Sequence, residues 1–314
     1  MLVLVDLDGT VYTRSGLIDG AVAALAELRA AGHVLRFLTN TDSHPTASLL
    51  TTLIERGVPV GEGELFTSVT AAEALLARAG EVRVLPVTNE AVAASLARHF
   101  PTAPVGESRV PAALGGESRV PAALAGEGRV PTAPAGDRQG LTAAAGGDDE
   151  PAASTGDISA GAGITHVVVG DVRSTLSYEL LDAAFRALRA GAELVAMQKG
   201  RFYLDDAGAH VDTGAVVAAL EFAAGVPATV VGKPSVAFLD LAARSAERPF
   251  PPDQICVVGD DVLSDVRMGR DAGTRTVLVR TGKYALQRDA PDAPVPDHEI
   301  DSLAALPSLL RSLD

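Results

Sequence analysis

Two aspartates, Asp6 and Asp8, close an apolar run at the start of the chain, MLVLVDLDGTVY. A run this dense in Leu and Val reads as a strand buried on both faces. Such strands do not normally end in two carboxylates, because burying an unpaired charge is costly. One residue apart on a strand, the two side chains can point the same way, and Gly9 lets the backbone turn closely around a ligand. With no local cation, the pair suits a metal ion, or an acid and a base whose pKa values are held apart. A strand end capped by solvated acids is the plain alternative.

Three more strand ends carry matching chemistry. The strand in HVLRFLTN ends in Thr39 and Asn40, which offer a hydroxyl and an amide to an oxyanion. ATVVG runs into Lys233, Pro234 and Ser235, and QICVVG runs into Asp260 and Asp261, with Asp265 shortly after. Ligands of parallel sheets bind beyond the carboxyl ends of the strands, so these four ends are expected to share one crevice. Together they supply carboxylates for a hard cation, plus donors and a positive charge for an anion. Lysine usage sharpens the point. Arg carries nearly all the positive charge, and Lys occurs only at 199, 233 and 283. A compact ammonium in place of a guanidinium fork suggests a specific need. That need is strongest for Lys233 beside a strand end; Lys283 reads as a solvated surface charge.

The elements that must position these residues alternate along the chain. Apolar strand patterns at LVLVD, HVLRFL, THVVVG, AELVAM, ATVVG, QICVVG and TRTVLV are mostly separated by amphipathic helical stretches. The pattern predicts an α/β fold, a parallel sheet covered by helices on both faces. Asp19 is a plausible N-cap for the first helix and Gly32 its stop, while Pro45 opens the next helix and Gly57 ends it. From about 101 to 163 the periodicity is lost. A tandem repeat appears there, GESRVPAALG, GESRVPAALA and GEGRVPTAPA, with no aromatic between Phe100 and Tyr178. Such a composition buries too little apolar surface to offset its ordering entropy, so a disordered low-complexity insertion is expected, with a tether for a partner as the sharper reading.

DLDGTV, LTN, VGKPS and GDDVLSD, in this order, resemble the four motifs of the haloacid dehalogenase (HAD) superfamily of phosphatases. The resemblance covers both flanks of the chain, roughly 1–78 and 206–314, and implies a Rossmann-like HAD core there. It implies an inserted α/β cap of type C2 over 79–205, carrying the repeat insertion. THVVVGDVRSTLSYELLDAAFRAL is similar to the cap of the NagD-like branch, subclass IIA. KGRFY at 199–203 and VRTGKY at 279–284 resemble the subgroup of that branch containing the phospholysine, phosphohistidine and inorganic pyrophosphate phosphatase and its "domain-containing protein 2" relatives.

Residue by residue, the resemblance implies that Asp6 attacks phosphorus to form an aspartyl-phosphate. Asp8 would protonate the leaving oxygen and then activate water. Mg²⁺ would be held by the Asp6 carboxylate, the Asp8 carbonyl and the Asp260 carboxylate, with Asp265 acting through water. Thr39, the amides near Leu7 and Asp8, and Lys233 would hold the phosphoryl oxygens, with Asn40 as a helper. Asp171, Arg173 and Ser174 follow a cap strand and could contact the leaving group. Lys199 and Arg201 could bind an anionic substrate or brace the cap. The implied function is a Mg²⁺-dependent phosphatase of small phosphorylated molecules. A sugar- or nucleotide-phosphate phosphatase of the NagD type, or a scaffold recruiting partners through the repeats, stand as alternatives. Family habit favours a cap-mediated homodimer.

Composition bounds the rest. With 40 acidic against 26 basic residues, the net charge of −14 argues against nucleic acid or an anionic membrane as the main partner. Cys256 is the sole cysteine, which excludes an intrachain disulfide; its place in QICVVG suggests a core thiol. The histidines, His44 included, lack ligand spacing, and neither GxGxxG nor GxxxxGK[ST] occurs. No signal peptide and no membrane-spanning run is recognised, so a soluble cytoplasmic protein is expected.

Overall fold

The computed structural model describes residues 1–103, 163–205 and 207–313. Its main sheet has six parallel strands: β1 (Leu2–Asp6), β4 (Val34–Thr39), β5 (Leu65–Thr67), β12 (Ile255–Gly259), β13 (Arg275–Val279) and β14 (His298–Ile300), in the order β14-β13-β12-β1-β4-β5. From β1 the chain builds outward on one side through β4 and β5. It later returns to build the other side through β12, β13 and β14. The order therefore reverses at β1, and a crevice opens beyond the carboxyl ends of β1, β4 and β12.

Both faces of β1 are buried, as its continuous apolar run requires. Leu2 and Leu4 pack with Phe238, Leu239 and Met268, and Val3 and Val5 pack with Leu25, Leu28 and Leu53 on the other face. Each such side chain contributes roughly 1.5–3 kcal/mol by its removal from water. That anchors the strand whose end carries Asp6.

A second parallel sheet has the order β11-β8-β7-β6, formed by β6 (Val84–Val87), β7 (His166–Val169), β8 (Glu193–Ala196) and β11 (Thr229–Val230). Two antiparallel hairpins complete the strands: β2 (Tyr12–Thr13) with β3 (Gly16–Leu17), and β9 (Phe202–Asp205) with β10 (Gly208–Val211). The ATVVG strand thus pairs with Glu193–Ala196 in the second sheet, not with the sheet that ends in Asp6 and Asp260. Its apolar pattern says strand but carries no signal of the partner. The last strand of the second sheet accordingly comes from beyond residue 205.

Local expectations meet mixed outcomes. The helix Thr46–Glu55 has Pro45 at its N-cap, and Gly57 follows it with φ 81°. The helix Ala21–Ala30, by contrast, is not capped by Asp19. Gly20 takes the N-cap position at φ 76°, and no side chain accepts there. Cys256 is buried in β12 and unpaired, and burial pushes its thiol up to about 12, as fits a core thiol. The expected insertion falls mostly on 104–162, outside the described residues. At its near end Thr102 bridges to Val84, so the second sheet extends a little past Phe100. None of the described helices is long and apolar enough to cross a membrane.

Candidate active site

Asp6 sits at the carboxyl end of β1, where the sheet order reverses. Thr10 donates to its Oδ2 at 2.8 Å, and the Lys233 ammonium donates to its Oδ1. Lys233 also donates to Asp265 Oδ1 at 2.7 Å. Lys233 comes from the loop after β11, Asp265 from a π-type turn, Val262–Val266, that follows β12. Asp260, next after β12, completes the group. These four side chains belong to residues only 5%, 6%, 2% and 1% exposed, for Lys233, Asp6, Asp260 and Asp265 in turn.

Carboxylate oxygens of Asp6, Asp260 and Asp265 all lie within 4.8 Å of one another. Three buried carboxylates against one ammonium leave excess negative charge in a low-dielectric site. Burial, followed by repulsion from Asp6 and Asp265, pushes the Asp260 carboxyl well above the usual range. Burial pulls Lys233 down, but the Asp265 and Asp6 charges outweigh it and the ammonium is held upward, firmly protonated. The donor set consists of hard oxygens, the ligands that suit Mg²⁺. The cradle is built to fit: at Gly9 (φ 92°) and Gly282 (φ 55°) an added methyl would collide with the Asp260 carboxylate. The residues present therefore fit a divalent cation.

Asp8 lines the cavity with its side chain open to it. Partial desolvation and the nearby Asp6 charge raise its carboxyl, while Lys283, Arg14 and Lys233 act in the opposite sense. Thr39, buried at the end of β4, also faces the cavity, and its hydroxyl lies 2.9 Å from that of Thr41. Asn40 does a different job from the expected oxyanion contact. Its Oδ1 accepts from the Lys233 amide at 2.8 Å and its Nδ2 donates to the Lys233 carbonyl at 2.9 Å. This two-point grip positions the lysine from the neighbouring sheet. The Leu7 side chain is fully buried and does not line the cavity.

The cavity, about 840 Å³, is open to solvent, and its walls include the β2–β3 turn and the β9–β10 hairpin. Arg173 and Arg201 line it; Asp171 and Ser174 do not. Asp171 instead accepts a two-point bond from Arg173, at 2.7 and 2.8 Å, while the guanidinium lies 4.5 Å over the Tyr203 ring. Lys199 also lines the cavity, and its ammonium reaches both oxygens of Glu221, at 2.6 and 2.8 Å.

Lys283 was expected to be a surface charge and is not. Its amide donates to Asp260 Oδ2 at 2.6 Å, and its Nζ lies 3.1 Å from Asp261 Oδ2 in the cavity wall. Its rarity as a lysine and its place in VRTGKY were the available signals. Asp42 is another residue that sequence reasoning passed over. Buried and lining the cavity, it accepts from Thr213 Oγ1 at 2.7 Å and from Gln198 at 3.3 Å. Burial pushes its carboxyl up to about 7, opposed by the bond from Thr213 and aided by the Asp212 and Asp171 charges. His44 is exposed and outside the cavity lining.

Two family models match the chain. One, described as haloacid dehalogenase-like hydrolase, spans residues 3–99, and the other, HAD-hydrolase-like, spans 230–306. The chain is 31% identical over 282 residues to the haloacid dehalogenase-like hydrolase domain-containing protein 2 of Homo sapiens, covering 90% of this chain and 85% of that protein. It is 36% identical over 151 residues to the phospholysine phosphohistidine inorganic pyrophosphate phosphatase of Xenopus laevis, covering 47% of this chain and 55% of that one. Its fold is like that of a p-nitrophenyl phosphatase from Archaeoglobus fulgidus, with a TM-score of 0.73, 21% identity and 98% of each chain covered.

Proposed function

Because this chain belongs to the haloacid dehalogenase-like hydrolases, as a subclass IIA phosphatase of that superfamily, we propose that it cleaves a small phosphate ester by way of a phosphorylated Asp6. The observation that carries this reading is the buried group of Asp6, Lys233, Asp260 and Asp265, with Asp8 open to the cavity beside it. A scaffold would have no use for three costly buried carboxylates.

In this reading Asp6 attacks phosphorus, forming an Asp6–phosphorus bond as the bond to the leaving oxygen breaks. Asp8 gives its proton to that oxygen. Burial and the nearby Asp6 charge raise its carboxyl, which favours the protonated form the first step needs. In the second step Asp8 takes a proton from the attacking water, the Asp6–phosphorus bond breaks, and inorganic phosphate is released. Lys233 and Thr39 hold phosphoryl oxygens, and Asn40 keeps Lys233 in place through the grip described above. Mg²⁺, held by Asp6, Asp260, the Asp8 carbonyl and, through water, Asp265, would lower the repulsion between an anionic carboxylate and an anionic phosphoryl group.

The test is colorimetric hydrolysis of p-nitrophenyl phosphate with Mg²⁺, after chelation by EDTA, and after Mg²⁺ is restored. The reading expects activity that EDTA abolishes and Mg²⁺ returns. Hydrolysis indifferent to EDTA would contradict the metal-dependent mechanism, and no hydrolysis of any phosphate ester would contradict the reading as a whole.

A further inference from the structure

Most charged side chains around the cavity are already matched. Arg173 is held by Asp171, Lys199 by Glu221, Lys283 by Asp261, and Asp205 by His210 at 2.7 Å. Arg14 and Arg201 are not. Both line the cavity and both are exposed, yet neither guanidinium has an ion pair or hydrogen-bond partner among the described residues. In a chain where acids outnumber bases 40 to 26, two unmatched guanidiniums at one cavity mouth stand out.

They come from two elements. Arg14 sits in the turn between β2 and β3, close beyond Asp8, and Arg201 sits just before β9. The Arg14 charge reaches Asp8 on one side and Asp205 of the β9–β10 hairpin on the other. Arg14 therefore lies near Asp8, on the side of the cavity where Asp8 would meet the leaving oxygen. We propose that Arg14 and Arg201 bind a second anionic group on the leaving portion of the substrate, so that preferred substrates are phosphate esters whose alcohol carries a carboxylate or a further phosphoryl group. This rests on the phosphatase reading above. Guanidinium forks suit both kinds of anion, which they bind through two parallel donors.

The experiment compares kcat/KM for phenyl phosphate, 3-carboxyphenyl phosphate and 1,3-phenylene bisphosphate, which share one ring and one type of scissile bond. Wild type is expected to favour an anionic probe by about tenfold, with the preference shrinking as salt is raised. Arg14→Gln and Arg201→Gln should each lower that preference by roughly fivefold, mainly through KM. Arg14→Lys should restore part of it. The better of the two anionic probes tells a carboxylate site from a phosphoryl site. Phenyl phosphate cleaved as well as both anionic probes, or a preference unchanged in both Gln variants, would overturn the inference while leaving the phosphatase intact. Failure to cleave any of the three would overturn the phosphatase reading instead.

Discussion

Asp8 differs from the other acids at the site in being open to the cavity, and the difference defines its proposed role. Asp6, Asp260 and Asp265 are buried among themselves with Lys233, an arrangement suited to fixed charge and metal. Asp8 is free to exchange a proton with whatever occupies the cavity. Asp8→Asn is therefore expected to slow turnover by about 100-fold or more on alkyl phosphates. The loss on p-nitrophenyl phosphate should be clearly smaller, since its leaving group departs without help. Steady-state kinetics on both substrates check this, and equal losses on the two would count against Asp8 as the acid. At this scale the sequence was informative wherever a residue's role follows from its place at a strand end. Asp6, Thr39 and Asp260 could be placed because apolar strands run straight into them. Lys283 could not, because its amide reaches Asp260 through a turn at Gly282 a few residues past the end of β13, and the apolar pattern of that strand carries no signal of the turn.

Elements joined over long sequence separations were the least legible. Asp42 meets Gln198 and Thr213, which lie 156 and 171 residues away in the chain, and a lone acid in TDSH gives no hint of either. The strand Val84–Val87 was hidden by Pro86, which suits only a sheet edge or the start of a strand. The hairpin Phe202–Val211 was not among the strands the apolar pattern picked out. Asp42 also sets a pH dependence. Its carboxyl titrates near 3.8 ordinarily and is raised to about 7 in the fold, so the folded state binds its proton more tightly than the unfolded chain. The resulting stabilisation is present in full below about 4 and is lost as pH rises through about 7, amounting to up to about 4 kcal/mol. Asp42→Asn should flatten this slope and should melt above wild type at about pH 8. Thermal melts of both proteins between about pH 5 and about pH 8 test it; parallel pH profiles would show that Asp42 is not the titrating group.

For the molecule as a whole, two parallel sheets meet at one cavity. β1, β4 and β12 bring Asp6, Thr39 and Asp260 from the first, and the loop after β11 brings Lys233 from the second. The residues on either side of 104–162 both touch one strand. Thr102 bridges to Val84, and His166 pairs with Val84 as part of β7. Flanking β6 on its two sides, they lie two strand spacings apart, roughly 10 Å, which a few residues can span. Replacing 104–162 by a four-residue Gly/Ser loop is expected to preserve kcat/KM for p-nitrophenyl phosphate within about threefold, since every residue assigned to the site lies outside the segment. A loss well beyond that, in a variant with an unchanged melting temperature, would mean that the repeats contribute to turnover.

The most direct test of the central claim is to trap the phosphorylated enzyme. The protein is mixed with p-nitrophenyl phosphate and Mg²⁺, quenched in acid within the first turnovers, reduced with borohydride and mapped by mass spectrometry. An acyl phosphate on Asp6 predicts homoserine at position 6 in wild type, none in Asp6→Asn, and no turnover by that variant although it remains folded. Homoserine at another position, or Mg²⁺-dependent hydrolysis by folded Asp6→Asn at a near wild-type rate, would contradict the account.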